Sequence, residues 1–171
     1  MPANFNTTLM KTSHVVLRTE VKPEDIEQVR RIVISTGFFY DYEVPVAVEL
    51  VEEALDQGDA SGYHFIFAEV DGKVVSYSCY GPIDGTDAGY DLFWIVTHND
   101  YRGSGIGKQL LDETHRIVKN RGGRYIIAET SSLEKYTPTR LFYEKNNYDK
   151  EAIIKDFYLT GDDKVIYVKR L

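Results

Sequence analysis

The chain has 171 residues, of which 43% are hydrophobic and 27% charged, proportions of a folded globular protein rather than a disordered, collagen-like or disulfide-scaffold chain. Its net charge of −7 argues against general nucleic-acid binding, which calls for a basic face. The charge is uneven: residues 1–100 carry a balance of −11 and residues 101–171 one of +4, a split that suits two ligands of opposite sign or simply two solvated faces.

Residues 1–12 lack the basic-then-apolar plan of a secretory signal and read as a loosely ordered arm. Ser13 to Glu20 alternates Val15 and Leu17 with polar neighbours, as a strand does. Pro23 opens a helix with Ile26, Val29 and Val33 as its apolar stripe, and Gly37 ends it. A second helix is expected after Pro45, with Ala47, Leu50, Val51, Ala54 and Leu55 on one face. Tyr63–Val70 and Lys73–Tyr80 read as a hairpin closed by Asp71-Gly72. Within it Cys79, the single cysteine, reads as a buried inert thiol.

Gly89 to Thr97 is a strand whose apolar run from Leu92 to Val96 predicts a central place in the sheet. A helix over about 105–120 points Ile106, Leu110, Leu111, Thr114, Ile117 and Val118 inward before Gly122-Gly123. Tyr125–Thr130 is a further strand. Thr137, as N-cap before Pro138, starts a helix to about Asn146, and strands over about 149–159 and 164–171 close the chain. No repeat or linker interrupts this order, which describes one mixed domain over 1–171. No apolar run is long enough to span a bilayer, so no membrane partner is expected and the cytoplasm is the default location.

Tyr101-Arg102-Gly103-Ser104-Gly105-Ile106-Gly107-Lys108 lies between the central strand and an amphipathic helix. Alternating glycines let backbone N–H groups approach a ligand, and the helix start adds free donors and a positive dipole end. That combination attracts a phosphate or pyrophosphate, with Arg102 and Lys108 adding charge. The segment is neither a P-loop nor a dinucleotide fingerprint, because Arg102 stands at the first P-loop glycine, Gln109 follows Lys108, and the glycines run 103, 105, 107. A glycine-rich turn without a ligand is the alternative. His14, His64, His98 and His115 are scattered without metal-ligand spacing, so no metal is expected, and no nucleophile elbow appears.

The pattern Arg102-x-x-Gly105-x-Gly107 resembles the acyl-CoA pyrophosphate turn of the GNAT superfamily of N-acyltransferases. Leu141-Phe142-Tyr143-Glu144-Lys145-Asn146-Asn147-Tyr148 is similar to a second segment of that family, with Asn147 in place of the usual glycine. The element order over about 13–171 agrees with the family's. The resemblance implies a mixed α+β fold: a central, mostly antiparallel seven-stranded sheet with one splayed parallel strand pair, flanked by about four helices. It also implies that acetyl-CoA donates an acetyl group directly to an amine acceptor, with a homodimer common among relatives although no residue here requires one.

By the same resemblance Ile95, Val96 and Thr97 offer main-chain groups to the thioester arm, the Ile95 N–H being the oxyanion donor. Gly103, Ser104, Gly105 and Gly107, with Arg102 and Lys108, hold the pyrophosphate. Tyr143 matches the family's general acid. Asp91 stands where relatives place a general base, with Glu129 the rival, and strand alternation puts Asp91 on the face of Phe93 and Ile95. Tyr136 replaces an asparagine that contacts the pantetheine arm, so it either keeps that contact or lines the acceptor pocket. Thr139 replaces a usual alanine.

Between the first two helices, Phe38, Phe39, Tyr40, Asp41, Tyr42 and Glu43 supply aromatic and acidic groups, suited to a cationic amine or to packing. A polyamine, a small amine, an amino acid and a protein lysine or N-terminus all remain open as acceptors. The competing functional class is a non-catalytic acyl-CoA sensor.

Overall fold

The computed structural model describes residues 14–171, and the arm expected over residues 1–12 lies outside them. The elements run β1 (Val15–Arg18), α1 (Asp25–Thr36), α2 (Glu43–Gln57), β2 (His64–Val70), β3 (Lys73–Pro82), β4 (Gly89–Thr97), α3 (Ile106–Asn120), β5 (Tyr125–Ser131), α4 (Thr137–Lys145), β6 (Asp149–Leu159) and β7 (Asp162–Arg170). Seven strands form one sheet in the order β1-β2-β3-β4-β5-β7-β6, with β4 at its centre. Every neighbouring pair is antiparallel except β4 and β5. The expected mixed α+β architecture is present.

Local chemistry accounts for most boundaries. Asp71 and Gly72 both take positive φ, as the expected tight hairpin turn requires. Gly37 caps α1 in the left-handed conformation. Two helix starts differ from expectation. α2 begins at Glu43 rather than after Pro45, because a proline in the first turn removes an N–H that has no helical partner anyway. Thr137 is already helical instead of capping α4, and its hydroxyl accepts from the Arg140 guanidinium (2.9 Å).

The sheet is buried on both faces through its centre. Phe65, Phe67, Tyr77, Cys79 and Val96 meet α1 and α2, while Ile66, Ala68, Leu92, Ile126 and Ala128 meet α3 and α4. Each fully buried aliphatic or aromatic side chain contributes about 1.5–3 kcal/mol relative to exposure. Burial pushes the Cys79 thiol well up, leaving it protonated and unreactive.

One irregularity shapes the centre. Cys79 pairs with Trp94 but Tyr80 pairs with Leu92, so Phe93 is an extra residue in β4, a bulge that bends the strand. β4 pairs with β5 only from Gly89–Tyr125 to Leu92–Ala128, although the strands continue to Thr97 and Ser131. Beyond that rung they part, leaving a gap between their C-terminal ends. The bulge also breaks the alternation expected for β4. Asp91, opposite Gly81, shares the α1–α2 face with Trp94, whereas Ile95, opposite Ser78, faces α3.

Candidate active site

Main-chain groups edge the gap. The Ser76 hydroxyl donates to the Val96 carbonyl (2.9 Å), and the His98 N–H donates to the Val75 carbonyl (2.8 Å). Both belong to the β3 side, so in extended chain the N–H and C=O of Ile95 and Thr97 point the other way, into the gap. Val96 was expected to offer its main chain there as well; it is instead turned to β3, and its side chain is buried against α1 and α2.

After Thr97 a short 3₁₀ turn, Asn99–Tyr101, leads to the glycine segment. Gly103 and Gly105 adopt φ of 73° and 82°, which a side chain would strain. Gln109 is the first residue of α3 whose amide reaches a carbonyl, that of Gly105 (3.1 Å). The amides of Gly103 to Lys108 have no hydrogen-bond acceptor among the described residues. Six consecutive donors at a helix start form a cradle for an anion such as pyrophosphate. The Ser104 hydroxyl is engaged by the Tyr101 carbonyl. Lys108 turns along the helix to Asp112 (2.5 Å), and Arg102 lies over the Phe38 ring (4.8 Å to its centroid), so the main chain rather than these two side chains forms the cradle.

Tyr143 projects from α4 on the α3 side, 5% exposed, among Tyr148 (5.2 Å between ring centroids), Tyr167 (5.6 Å) and Phe142 (5.7 Å). The neighbouring hydroxyls are tied: Tyr148 to His115 Nε2 (2.8 Å) and Tyr167 to Glu144 (2.8 Å). The Tyr143 hydroxyl has no partner among the described residues, yet it is not sealed from the exterior as the orphaned Tyr77 hydroxyl is. Burial raises its pKa far above the usual phenol value, keeping it a proton-bearing donor.

Asp91 and Glu129 lie on the opposite, α1–α2 face, near the base of the gap. Asp91 is half-buried, and burial, reinforced by Glu129 and opposed by Lys164, pushes its carboxyl above the ordinary range. Glu129 is exposed and pairs with the Lys164 ammonium (2.5 Å), which also sits 3.7 Å from the Phe157 ring centroid. Opposite them the α1–α2 connector closes over the site. Phe39 packs on Trp94 (5.0 Å between centroids), and the Phe38 carbonyl accepts from Lys135 Nζ (2.9 Å) and the Tyr136 hydroxyl (3.4 Å). Burial, with Glu43 and Tyr40 nearby, pushes the Tyr136 phenol up to about 12.

The family description "Acetyltransferase (GNAT) domain" matches residues 61–150, which carry the gap, the cradle and Tyr143. A GNAT-family protein from Desulfovibrio desulfuricans of solved structure is 48% identical, covering 92% of this chain and 99% of its own, with a TM-score of 0.90. This chain belongs to the GNAT acetyltransferases. The PaiA N-acetyltransferase of Thermoplasma acidophilum, solved with coenzyme A, shares the fold (19% identity, 92% and 99% coverage, TM-score 0.70). So does the ribosomal-protein-S18-alanine N-acetyltransferase of Escherichia coli (17%, 92% and 94%, 0.72). No match is found among the curated proteins.

A concavity of about 710 Å³ in this GNAT acetyltransferase lies away from the gap, at the start of β2 between the C-terminal parts of α2 and α3, and is lined by none of the residues of the gap, the cradle or the Asp91–Glu129 face. A second, of about 520 Å³, runs along α4 past Leu141 and Phe142. It adjoins the cradle, because the Phe142 ring stands 3.7 Å from where a Cβ on Gly107 would lie. Sequence reasoning missed Lys164. Its one signal is its position after the Gly161-Asp162-Asp163 turn, and only the β5–β7 register, pairing Ser131 with Lys164, brings it to Glu129.

Proposed function

We propose that this GNAT acetyltransferase is an acetyl-CoA-dependent N-acetyltransferase that moves the acetyl group directly to an amine. The observation that carries this reading is the division of the site. A carboxylate of raised pKa lies on one sheet face, a protonated buried phenol on the other, and a strand gap edged by free main-chain donors lies between them. The amide cradle at Gly103–Lys108 fits the pyrophosphate of CoA, and acetyl-CoA, when bound, supplies the activated thioester.

An acceptor ammonium of lysine-like pKa, about 10.4, must lose a proton before it can attack. Asp91 takes that proton, directly or through water, its raised pKa making it a better base than an ordinary aspartate. Glu129 is secondary, since its carboxylate is committed to Lys164. The Ile95 N–H donates to the carbonyl oxygen as negative charge gathers on it, an effect worth about 3–4 kcal/mol in comparable sites. Tyr143 gives its proton to the departing sulfur and regains one from the solvent. In balance, one C–N bond forms, one C–S bond breaks, and the ammonium loses two protons, one replaced on the thiol and one released.

The whole chain acts as one domain in the cytoplasm in this reading. Self-association is supported by the β6 edge, where Ile153, Ile154 and Leu159 are all exposed. The deciding experiment measures thiol release from acetyl-CoA with a library of amines, amino acids, aminoglycosides and peptides. Reproducible transfer to any of them supports the reading. CoA binding with no transfer across the library overturns it in favour of an acyl-CoA sensor.

A further inference from the structure

The acidic excess of the first hundred residues suggests a purely cationic acceptor, but the assembled acceptor face does not have that character. Its aromatic rings already carry the protein's own ammonium groups: Lys135 over Tyr40 (4.7 Å) and Tyr136 (5.1 Å), and Lys164 over Phe157 (3.7 Å). A polyamine would have to place further positive charge beside them.

What the face offers is a short strip of both signs. Asp91, Glu129 and Lys164 lie on β4, β5 and β7 in turn, all on the α1–α2 face. The negative and positive ends are nearly in contact, with Glu129 Oε2 and Lys164 Nζ 2.5 Å apart, and the Lys164 side chain only 13% exposed. One ammonium hydrogen serves Glu129, leaving two donors for a ligand. A ligand that carries its own ammonium and anion close together matches both signs of this strip.

Beside the strip stands an anchored aromatic wall. Between Ile154–Lys164 and Leu159–Asp162 the β6 chain leaves the ladder, with Asp156 at φ 51°. Asp163 holds this excursion by accepting from Lys155 Nζ (2.8 Å) and the Asp156 amide (3.0 Å), while the Asp156 carboxylate accepts from the Gly161 amide (2.7 Å). The excursion presents Phe157 and Tyr158, 48% and 45% exposed, next to Lys164.

We propose that the acceptor is a free α-amino acid with an apolar or aromatic side chain, its amine toward Asp91, its carboxylate on Lys164 and its side chain against Phe157 and Tyr158. An α-amino acid carries ammonium and carboxylate on one carbon, so its carboxylate can meet Lys164 while its ammonium faces the acidic end of the strip, Glu129 and Asp91. A peptide N-terminus offers a neutral amide where Lys164 meets an anion, and a simple amine offers nothing there. This inference rests on the N-acetyltransferase reading and narrows it.

The test compares matched acceptors that differ only in the carboxylate: L-phenylalanine with phenethylamine, and L-leucine with isoamylamine, alongside a peptide with N-terminal phenylalanine. Thiol release from acetyl-CoA gives kcat/KM for each. The free amino acid should exceed its amine and the peptide by about tenfold or more, as expected when one charged contact is lost. In Lys164→Gln that preference should fall to within about threefold, and Lys164→Arg should keep most of it, with CoA-dependent thermal stabilisation reporting that each variant is folded. Equal or better use of the amine or peptide by the unaltered enzyme overturns the inference while leaving N-acetylation intact, as does an unchanged preference in folded Lys164→Gln. Should Lys164→Gln not fold, the wild-type ratio and its retention in Lys164→Arg decide. Absence of transfer to any acceptor class, with CoA still bound, overturns the underlying reading.

Discussion

The proposed donor half and the proposed acceptor half of the site are built from different material. The donor half, from Ile95 through the Gly103–Lys108 cradle, works almost wholly with backbone N–H groups whose direction is set by strand parity and a helix start. The proposed acceptor half, comprising Asp91, Glu129, Tyr136, Phe157 and Lys164 under the α1–α2 connector, relies on side chains that lie far apart along the chain. A backbone site tolerates changes of side chain and keeps one ligand; a side-chain site is re-specified by single substitutions. The same fold can therefore hold a constant donor while varying its acceptor.

Substitutions that separate the halves test this contrast. The largest effect is expected for Tyr143→Phe, which should lower kcat by about 10²–10⁴ while CoA affinity, measured by calorimetry, stays within about twofold. An unchanged kcat would remove the acid from the donor half.

A stability effect confined to the α3 side should come next. His115 is held down to about 4 by burial, against 6.5 in the unfolded chain, so the folded protein keeps it neutral. Its contribution is complete above pH 6.5 and is lost as pH falls toward 4, where the unfolded state binds the extra proton. At about 1.36 kcal/mol per pH unit, discounted for the partial exposure of the ring, this is on the order of 2–3 kcal/mol. Denaturant titrations across that window should show the slope, and His115→Asn should flatten it.

Gly107 tests the backbone character of the cradle. An added Cβ would meet Thr97 and Phe142 only at ordinary contact distances, 3.6–3.8 Å, so Gly107→Ala should raise stability by about 0.5–1 kcal/mol. The same methyl group stands at the mouth between α3 and α4 and should weaken CoA binding several-fold. Unaltered CoA affinity would mean that the ligand does not approach this turn.

The smallest expected effect is electrostatic and belongs to the acceptor half. The acid limb of kcat/KM should lie above the ordinary aspartate range, because Asp91 must be ionised to act and burial and Glu129 raise its pKa. Glu129→Gln removes the negative neighbour and should move that limb to lower pH by a fraction of a unit. Lys164→Gln removes the opposing cation and should move it to higher pH. Shifts in the reverse directions would assign the limb to another group.

Legibility in the sequence follows the same division. The cradle appears as a hexapeptide because positive φ at Gly103 and Gly105 is a local demand that glycine meets. Tyr143 appears through its neighbours in a contiguous segment. The left-handed Asn147 (φ 62°) could be foreseen from the residue type alone. Lys164 could not, because nothing local distinguishes it from any other lysine at a strand start. Strict alternation puts Asp91 on the wrong face because it takes no account of a bulge at Phe93, which depends on how β4 lies against β3.

The amino-acid sequence by itself determined the order of elements, the buried stripes of α2 and α3, the central place of β4 and the glycine-rich turn before α3, since each follows from periodicity or from the φ that a residue tolerates. Only the tertiary structure decided which strand ends part, which backbone groups face the gap, and that Asp91 and Tyr143 stand on opposite faces of the sheet. It also turned the lopsided charge of the chain into something different from two uniform fields. Asp91 of the acidic half and Lys164 of the basic half share one sheet face, with Glu129 paired to Lys164 between them, because strand register couples residues regardless of their distance along the chain, and a 2.5 Å ion pair outweighs an average over a hundred positions.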